Sequence, residues 1–387
     1  MTENVVNCCV FNFDTEWVGM HMLSAKAKEA AAWLGRNKWS LDIALLLPFV
    51  YLSLKIRLQY YYFLASPGQS FPTSDDSVWY LKYAHALLAD KQIGTHMNDL
   101  MYMGYNLTLA FWLGLLDDPV NVLFIQSLLA GLSVILVYLI ASMLFNRLTA
   151  VIASYLFCYH TWSVTLWSVY ILADSFFTSL LLLVVYLLLK WRQSGGKVYR
   201  YAFIASAIYL ALFKPTGLLV VTFIGLYVLI NTHWADIKQF FRKYGLPLAI
   251  IVVVAVVAVI LALATGKLST LIASMQLNIK MVLYNVYAKG WIYDKPSPFD
   301  HPFKPDYNIN VMGSLTLSFI VNNWDHVFVL YAKRAIAFIG NWVWQKPTDL
   351  TTLAGIKQFA EYMLPTVLFF IGIAGAFAAK IFRKASI

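Results

Sequence analysis

The sequence predicts an all-helical protein that crosses a lipid membrane about eight times. Of its 387 residues, 60% are hydrophobic and only 12% are charged, which is typical of a polytopic membrane protein and not of a soluble domain. The 24 tyrosines and 13 tryptophans suit the two bilayer interfaces, where amphipathic aromatic rings concentrate. Long apolar segments separated by basic loops give the third indication. The three cysteines form neither a disulfide framework nor a zinc-binding spacing.

The charge of the chain fits a membrane protein that contacts anionic lipid. The net charge is +10, and in so apolar a chain it indicates lipid and the positive-inside rule, not nucleic acid. Residues 1–38 form a basic polar tail that is too long for the n-region of a signal peptide. We therefore expect this tail to be cytoplasmic and the apolar segment that follows to remain as an anchor.

The predicted passes follow from hydropathy and from the parity of the basic loops. They are residues 39–64, 120–145, 149–169, 171–189, 201–213, 215–230, 246–264 and 362–379. The loop 190–197 and the basic residues Lys238, Arg242 and Lys243 are assigned to the cytoplasm. An even number of passes must separate them, so residues 201–230 are predicted to be two short helices that meet at Lys214 on the outer side. This count puts both termini inside the cell.

Two stretches between the passes are predicted to stay on the outer side. Residues 101–116 are too short for a hydrocarbon core of ~30 Å, so we expect an interfacial or re-entrant helix there. The proline-rich run 291–306 predicts an ordered, lid-like loop. The apolar segment 327–344 carries Lys333 and Arg334 in its middle and is predicted to lie in the interface. The resulting parts are the tail 1–38, the transmembrane core 39–264 with the first outer loop 65–118, the outer region 265–360, and the last pass with its cytoplasmic tail 361–387.

The candidate site begins in the first outer loop with two adjacent carboxylates, Asp75 and Asp76. Ser74 is a good N-cap, so both acids fall in the first turn of a helix that runs to about Asp90. The aliphatic residues on one face of this helix are Val78, Leu81 and Leu88. A purely structural alternative is that the acids favour the helix dipole and that aromatic residues such as Tyr80 anchor the helix at the bilayer interface.

A third carboxylate and several cations complete the predicted site. Asp174 lies at the outer start of the segment 171–189, where an acid is costly unless paired or hydrated; a helix-end cap is the alternative. The outer side is unusually basic, which predicts an anionic partner such as a lipid-linked phosphate, although long loops are exempt from the charge rule. The residues assigned to substrate binding are Asp174, Lys91, Lys214, Tyr80, Arg57, Lys333 and Arg334. For Arg57 the alternative is snorkelling to the interface.

Carboxylates and cations around one outer cavity meet the two needs of glycosyl transfer from a polyprenyl phosphate sugar. A carboxylate takes the proton from the acceptor hydroxyl, and a lysine holds the phosphate leaving group. Asp75 and Asp76 are also candidate ligands of a divalent cation, Mg²⁺ or Mn²⁺. Two neighbouring side chains make a poor metal site without a third oxygen ligand, so a metal-free base is an equal alternative.

Three stretches resemble the GT-C superfamily of integral-membrane glycosyltransferases, in particular its protein mannosyltransferase and aminoarabinose transferase branch. They are SDDSVWYLKYAHALL at 74–88, the run 138–174, and LFKPTGLL at 212–219. The resemblance covers residues 40–265 and implies a GT-C-like fold and a polyprenyl-phosphate-linked sugar donor. It also implies that Asp75 is the first-loop catalytic acid, Asp76 its acidic neighbour, Asp174 the second acid and Lys91 a donor-phosphate lysine. The sequence YMGYN at 102–106 replaces the Pro-Pro-Leu of the family, a departure that concerns the acceptor more than the donor.

We therefore expect an inverting membrane glycosyltransferase whose general base is an aspartate, Asp75 in the first place and Asp76 as the alternative. It would act at the extracytoplasmic face of a bacterial inner (plasma) membrane on a lipid, glycan or protein acceptor. The alternative is a transporter or flippase of lipid-linked saccharides, which should carry ionisable or broken helices near the membrane midplane. Charges gathered at one face favour the enzyme, and a non-catalytic scaffold is a third alternative. The expected partners are the bilayer, the donor and the acceptor, with no nucleic acid.

Overall fold

The computed structural model describes residues 38–92, 98–159, 166–284, 304–305, 308–340 and 350–378. Over these ranges the chain is helical and has no β-strand, which confirms the predicted all-helical class. The described α-helices are α1 (Lys38–Leu64), α2 (Asp75–Asp90), α3 (Met103–Leu116), α4 (Pro119–Leu144), α5 (Arg147–Tyr159), α6 (Ala173–Ser194), α7 (Lys197–Phe213), α8 (Pro215–Ile230), α9 (Trp234–Ala264), α10 (Ser269–Tyr284), α11 (Leu315–Asn322), α12 (Trp324–Gly340) and α13 (Leu353–Ala378).

Several of these helices are long and apolar enough to span a membrane. By length and composition α4, α6 and α9 qualify, and α13 adds a fourth if its two arms, which are bent by 45°, count as one span. No residue of α9 is buried although the helix has 31 residues. Because α9 is apolar around most of its circumference, its surface is suited to lipid. The described residues thus support three or four passes, and the further passes of the predicted eight belong to the proposal below.

The predicted pass 39–64 corresponds to α1, which has 27 residues but is not among the helices that qualify, and the passes predicted at 149–169, 201–213 and 215–230 correspond to shorter helices. The segment predicted at 149–169 contains α5, whose 13 residues rise only about 20 Å, less than a hydrocarbon core of ~30 Å. The segment predicted at 201–230 is two helices of 17 and 16 residues that are separated at Lys214. Pro215 opens α8, since proline cannot continue α7 but suits the first position of a new helix. The predicted helix break at Lys214 is confirmed.

The first compact unit comprises residues up to Ser70 and Phe124–Val169. In this unit α1 packs along α5. Arg147 donates from Nε to Asp42 Oδ1 at 2.6 Å and from its terminal nitrogen to Asp42 Oδ2 at 3.2 Å, and the Tyr138 hydroxyl donates to Asp42 Oδ1 at 3.1 Å. A two-pronged arginine–carboxylate pair has a fixed geometry, so these contacts align the beginnings of α1 and α5.

The second compact unit comprises Phe71–Leu123 and the chain from Tyr170 onward. In it α2 packs on α3, α3 packs on α7, and α6, α7 and α8 pack in succession. Gly104 lets α3 approach α7 closely, because a Cβ at this position would lie 2.8 Å from the Cα of Phe213. This packing surrounds the beginnings of α2, α6 and α8 with aromatic side chains, and it positions the candidate site.

The region predicted to lie outside, 265–360, contains α10, α11 and α12. Asn323 pairs with the backbone of Lys304, accepting from its N–H at 2.8 Å and donating to its carbonyl at 3.0 Å. Asn322 pairs with the backbone of Ile309 in the same way, at 3.1 and 3.2 Å. These two amides fix the chain that enters α11. Most of the predicted lid-like loop 291–306 falls outside the described residues.

Candidate functional site

The beginning of α2 carries the two adjacent carboxylates of the candidate site. Ser74 Oγ accepts a hydrogen bond from the backbone N–H of Ser77 at 3.1 Å, and Ser77 Oγ accepts one from the backbone N–H of Ser74 at 3.2 Å. This reciprocal capping box starts the helix at Asp75 and confirms Ser74 as the N-cap. Asp75 and Asp76 therefore lie in the first turn, where the helix dipole favours negative charge.

The side of α2 that packs against the protein is aromatic. Tyr80, Tyr83 and Ala84 are buried, whereas Val78 is 60% exposed and Leu88 is 43% exposed. The aliphatic face of the helix is thus left for lipid or solvent. The aromatic face packs on α3, and this packing leaves the first turn of α2, with Asp75 and Asp76, exposed.

Asp174 and Lys214 form an ion pair across two helix beginnings. Asp174 lies in the first turn of α6, and Lys214 is the extended residue between α7 and α8. The Lys214 Nζ donates to Asp174 Oδ1 at 2.5 Å and lies 4.5 Å from the centre of the Phe177 ring. The side chain of Lys214 is 13% exposed and that of Asp174 is 54% exposed. The cation is therefore enclosed by an acid and an aromatic face, and the acid is accessible from outside.

Asp76 lies close enough to Asp174 for the two carboxylates to repel each other, although 98 positions separate them in the sequence. Partial burial raises the pKa of the Asp76 carboxyl, and repulsion by Asp174 and then by Asp75 raises it further. The side chain still keeps accessible surface. A carboxylate whose pKa is raised toward neutrality, while it remains accessible, has the properties of a general base.

Three tyrosines form an aromatic wall behind the acids. The ring centre of Tyr80 lies 5.2 Å from that of Tyr102 and 4.8 Å from that of Tyr105, and Tyr105 lies 5.7 Å from Phe213. Burial raises the pKa of Tyr80, and the charge of Asp76 contributes in the same direction. The wall lowers the local polarity, and this strengthens charge interactions at the site.

Arg57 belongs to the first compact unit, and Asp76 and Asp174 belong to the second. Its side chain has no accessible surface and so does not snorkel. One terminal nitrogen donates to Ser53 Oγ at 2.6 Å, the other donates to the Phe157 carbonyl at 3.5 Å, and the guanidinium lies 5.0 Å from the centre of the Phe157 ring. These contacts stabilise the packing of α1 on α5, which is the role the structure supports for Arg57.

The remaining predicted cations are not brought to the acids by the described part of the structure. Lys91 is the left-handed C-cap of α2, and the helix between it and Asp76 spans about 22 Å. Lys333 and Arg334 lie on α12, and their side chains are outside the described residues. Within the second compact unit and among the side chains that the structure describes, Lys214, Asp174 and Tyr80 are the predicted substrate-binding residues that lie with Asp75 and Asp76.

No cluster of three or more histidine, cysteine, aspartate or glutamate side chains suited to a metal ion occurs within the described ranges. The Nζ of Lys214 lies against Asp174, so one of the carboxylates already has a cationic partner. Two carboxylates, one ammonium group and a tyrosine wall can accept a proton and stabilise a phosphate through their own side chains.

Sequence reasoning did not identify Tyr102 and Tyr105 as parts of the site. The signal was present in YMGYN at 102–106, which the family resemblance singled out only as a departure. Tyrosines three positions apart at the beginning of a helix face the same side, and here that side meets α2 and α7. The helices that these two tyrosines contact depend on the tertiary packing of the chain. The sequence of one short segment does not determine that packing.

No protein-family model matches the chain, and no curated protein is significantly similar to it.

Proposed function

We propose that this protein is a membrane glycosyltransferase that moves a sugar from a polyprenyl-phosphate-linked donor to an acceptor hydroxyl. The observation that carries the proposal is the meeting of Asp76, Asp174 and Lys214. These residues come from three helix beginnings that are far apart in the sequence. Two acids and one cation are the groups that the reaction requires at one place.

The chemistry of direct displacement assigns a role to each group. Asp76 takes the proton of the acceptor hydroxyl while the hydroxyl oxygen attacks the anomeric carbon of the donor. The bond between that carbon and the phosphate oxygen breaks, and the polyprenyl phosphate leaves with the electron pair. Lys214, whose ammonium pairs with Asp174, stabilises the negative charge that develops on the phosphate. Attack from the face opposite the leaving group inverts the configuration of the sugar.

The proposal includes a GT-C-like membrane architecture with about eight passes and a site on the extracytoplasmic side. The helix break at Lys214 supports it, because two short apolar helices joined at a polar break form a hairpin that enters and leaves on one side. The basic loop 190–197 supports a cytoplasmic assignment for the opposite end of α6. A bacterial inner membrane is the compartment that supplies polyprenyl phosphate sugars to such a site.

A flippase of lipid-linked saccharides is the second candidate function. A charged residue at a break between two apolar helices is a feature that transporters also use for binding ions and anionic head groups. The two candidates differ in chemistry, because a flippase leaves the bond between sugar and phosphate intact. They also require different assays.

The test uses the full-length protein purified in lipid nanodiscs and a panel of defined polyprenyl phosphate sugars. We expect polyprenyl phosphate to be released only when a donor is present, and we expect this release to be slower, although still measurable, in Asp174→Asn. Proteoliposomes that contain the same preparation report movement of a fluorescent lipid-linked saccharide between leaflets. The wild-type protein could instead move the saccharide between leaflets and release no polyprenyl phosphate with any donor. That result would reject the transferase and support the flippase.

A further inference from the structure

A group of lysine and arginine side chains lies at the end of the α6–α7 hairpin that is away from the candidate site. Asp174 is in the first turn of α6 and Lys214 follows α7, whereas a turn at Gly195 and Gly196 joins the two helices at their other end. The cations near this turn and in the first part of α9 are here called the basic end: Lys190, Arg192, Lys197, Arg200, Lys238, Arg242 and Lys243. Between residues 190 and 245 the sequence has a single acid, Asp236. The basic end is therefore strongly positive.

A hydrogen bond joins the parts of the basic end. Arg192, in the last turn of α6, donates from a terminal nitrogen to the carbonyl of Asn231 at 2.6 Å. Asn231 directly follows α8, and α9 begins three residues later at Trp234. The end of α6, the beginning of α7 and the beginning of α9 therefore lie side by side. A guanidinium has five N–H donors, so Arg192 keeps donors for a further acceptor.

The positive charge of the basic end is not neutralised by the part of the chain that the structure describes. None of its lysines and arginines forms an ion pair with a described acidic side chain. Lys238 and Arg242 are exposed and four positions apart on α9, which puts two like charges on the same side of the helix. Such a pair opposes helix formation. An anionic partner would relieve this repulsion.

Exposed aromatic rings accompany the cations and indicate what kind of anion binds. Trp234 is 76% exposed, Tyr201 is 60% exposed and Phe241 is 54% exposed. The guanidinium of Arg200 lies 5.0 Å from the centre of the Tyr201 ring. Cations next to exposed aromatic rings suit the boundary between lipid headgroups and acyl chains, whereas a small soluble anion would leave the rings in water.

We infer that the basic end binds the headgroups of anionic phospholipids. The cations contact the phosphates, and the aromatic rings lie among the upper parts of the acyl chains. Charge complementarity favours lipids whose phosphate has no compensating amine, such as phosphatidylglycerol. This binding surface is separate from the candidate site and does not depend on the proposed reaction. It accounts for the beginning of α9, a helix without buried residues, by giving it lipid as its partner.

The test titrates dioleoyl phosphatidylglycerol into the full-length protein in micelles of a neutral detergent. Native mass spectrometry counts the lipid molecules that stay bound. Dioleoyl phosphatidylcholine has the same phosphate and acyl chains but carries a cationic choline, and it is the reference lipid. We expect the wild-type protein to bind phosphatidylglycerol more tightly, and we expect added salt to reduce this preference because exposed charges are screened.

Two double variants each remove two charges from the basic end. One combines Lys238→Gln with Arg242→Gln on α9, and the other combines Lys197→Gln with Arg200→Gln on α7. We expect each to weaken binding of phosphatidylglycerol by about 10-fold or more, since every cation at an anionic lipid surface contributes to the affinity. The affinity for phosphatidylcholine should stay close to wild type in both.

The matched control removes the same charge elsewhere, by combining Lys267→Gln with Lys357→Gln. Lys267 lies beyond the opposite end of α9, and the Nζ of Lys357 is 3.9 Å from Glu361 Oε1. This control should bind phosphatidylglycerol like the wild type. Equal binding of the two lipids by the wild-type protein would overturn the inference. The same loss in the control would indicate a response to net charge alone, and a loss in only one basic-end variant would show that α7 and α9 do not share one surface; either result would also overturn it.

Discussion

At the scale of single residues, two carboxylates of the same type have different environments. Asp174 has a lysine ammonium 2.5 Å away, whereas Asp76 has partial burial and two neighbouring acids, all of which raise its pKa. The two acids therefore suit different roles, because Asp174 is paired with a cation and Asp76 has the raised pKa that favours proton exchange. The proposal therefore assigns the general base to Asp76 and not to Asp75, the residue that the sequence favours, and Asp75 completes the first turn beside it.

This difference predicts a shift in the pH dependence of the reaction. A base is active when deprotonated, so kcat/KM falls as the pH drops through the raised pKa of Asp76. Asp174→Asn removes a repelling charge and frees the Lys214 ammonium, and both changes lower the pKa of Asp76. In Asp174→Asn we therefore expect the acidic limb of the plot of kcat/KM against pH to move to lower pH. Asp75→Asn should move it less, because Asp75 contributes less to the pKa of Asp76. An acidic limb that moves upward in Asp174→Asn would contradict the assignment.

Lys214 leads to a prediction about donor binding. Lys214→Ala removes the ammonium group that faces Asp174, so we expect a higher KM for the lipid-linked donor. The measurement is steady-state kinetics on protein that elutes as a single species. Lys82→Ala is the control, since Lys82 is an exposed cation of α2 that lies over the Trp79 ring. An unchanged KM in Lys214→Ala would show that Lys214 does not bind the donor and that its ion pair with Asp174 is only structural.

At the scale of helices, the beginning of α8 depends on a glycine. A Cβ at Gly217 would lie 1.9 Å from the Leu210 carbonyl oxygen, so α7 and α8 approach each other with backbone against backbone. We expect Gly217→Ala to destabilise the protein by about 1–3 kcal/mol through overpacking and to displace Lys214. Gly225→Ala on the same helix meets nothing within 4 Å and should be neutral or slightly stabilising. Thermal unfolding of the two purified variants checks this, and equal unfolding temperatures would contradict the close packing.

Capping residues and prolines in the sequence correctly predicted where some of the helices begin and end. The N-cap at Ser74 and the break at Lys214 follow from rules that act within a few residues, and both are confirmed. The inward face of α2 could not be predicted in that way. Aliphatic residues line one side and tyrosines the other, so only the position of α3 and α7 decides that the tyrosines are buried. The meeting of Asp76 with Asp174 was predicted as a shared outer site, but the ion pair with Lys214 depends on where α6 and α8 begin relative to each other.

At the scale of the whole molecule, hydropathy and helix length lead to different counts of membrane passes. Parity of the basic loops predicts about eight, while length and composition support three or four among the described helices. Short helices such as α5 and α8, with 13 and 16 residues, account for most of the difference, and the 27-residue α1 accounts for the rest. A short helix crosses only where the bilayer thins or where another segment completes the pass.

Cysteine labelling from each side of the membrane tests the topology. We predict that both termini are cytoplasmic and that residues 66–118 lie outside. In a cysteine-free background, Asp117→Cys should react with an impermeant reagent added from the outer side, and a cysteine at Gly195 should react only after the inner side is opened. Asp117 is the left-handed C-cap of α3 and is exposed, so its substitution is accessible to the reagent. Labelling of residue 117 only from the cytoplasm would overturn the predicted orientation.

The most direct test of the central claim compares Asp76→Asn and Asp75→Asn in one purified preparation with a polyprenyl phosphate sugar. Asparagine keeps the size of each side chain, and Ser74 still caps the helix, so both variants should unfold near the wild-type temperature. We predict that Asp76→Asn lowers the rate of transfer by on the order of 10² to 10⁴ while donor binding is retained, because a general base contributes that much. Asp75→Asn should be affected much less. Folded variants that both transfer at the wild-type rate would contradict the account.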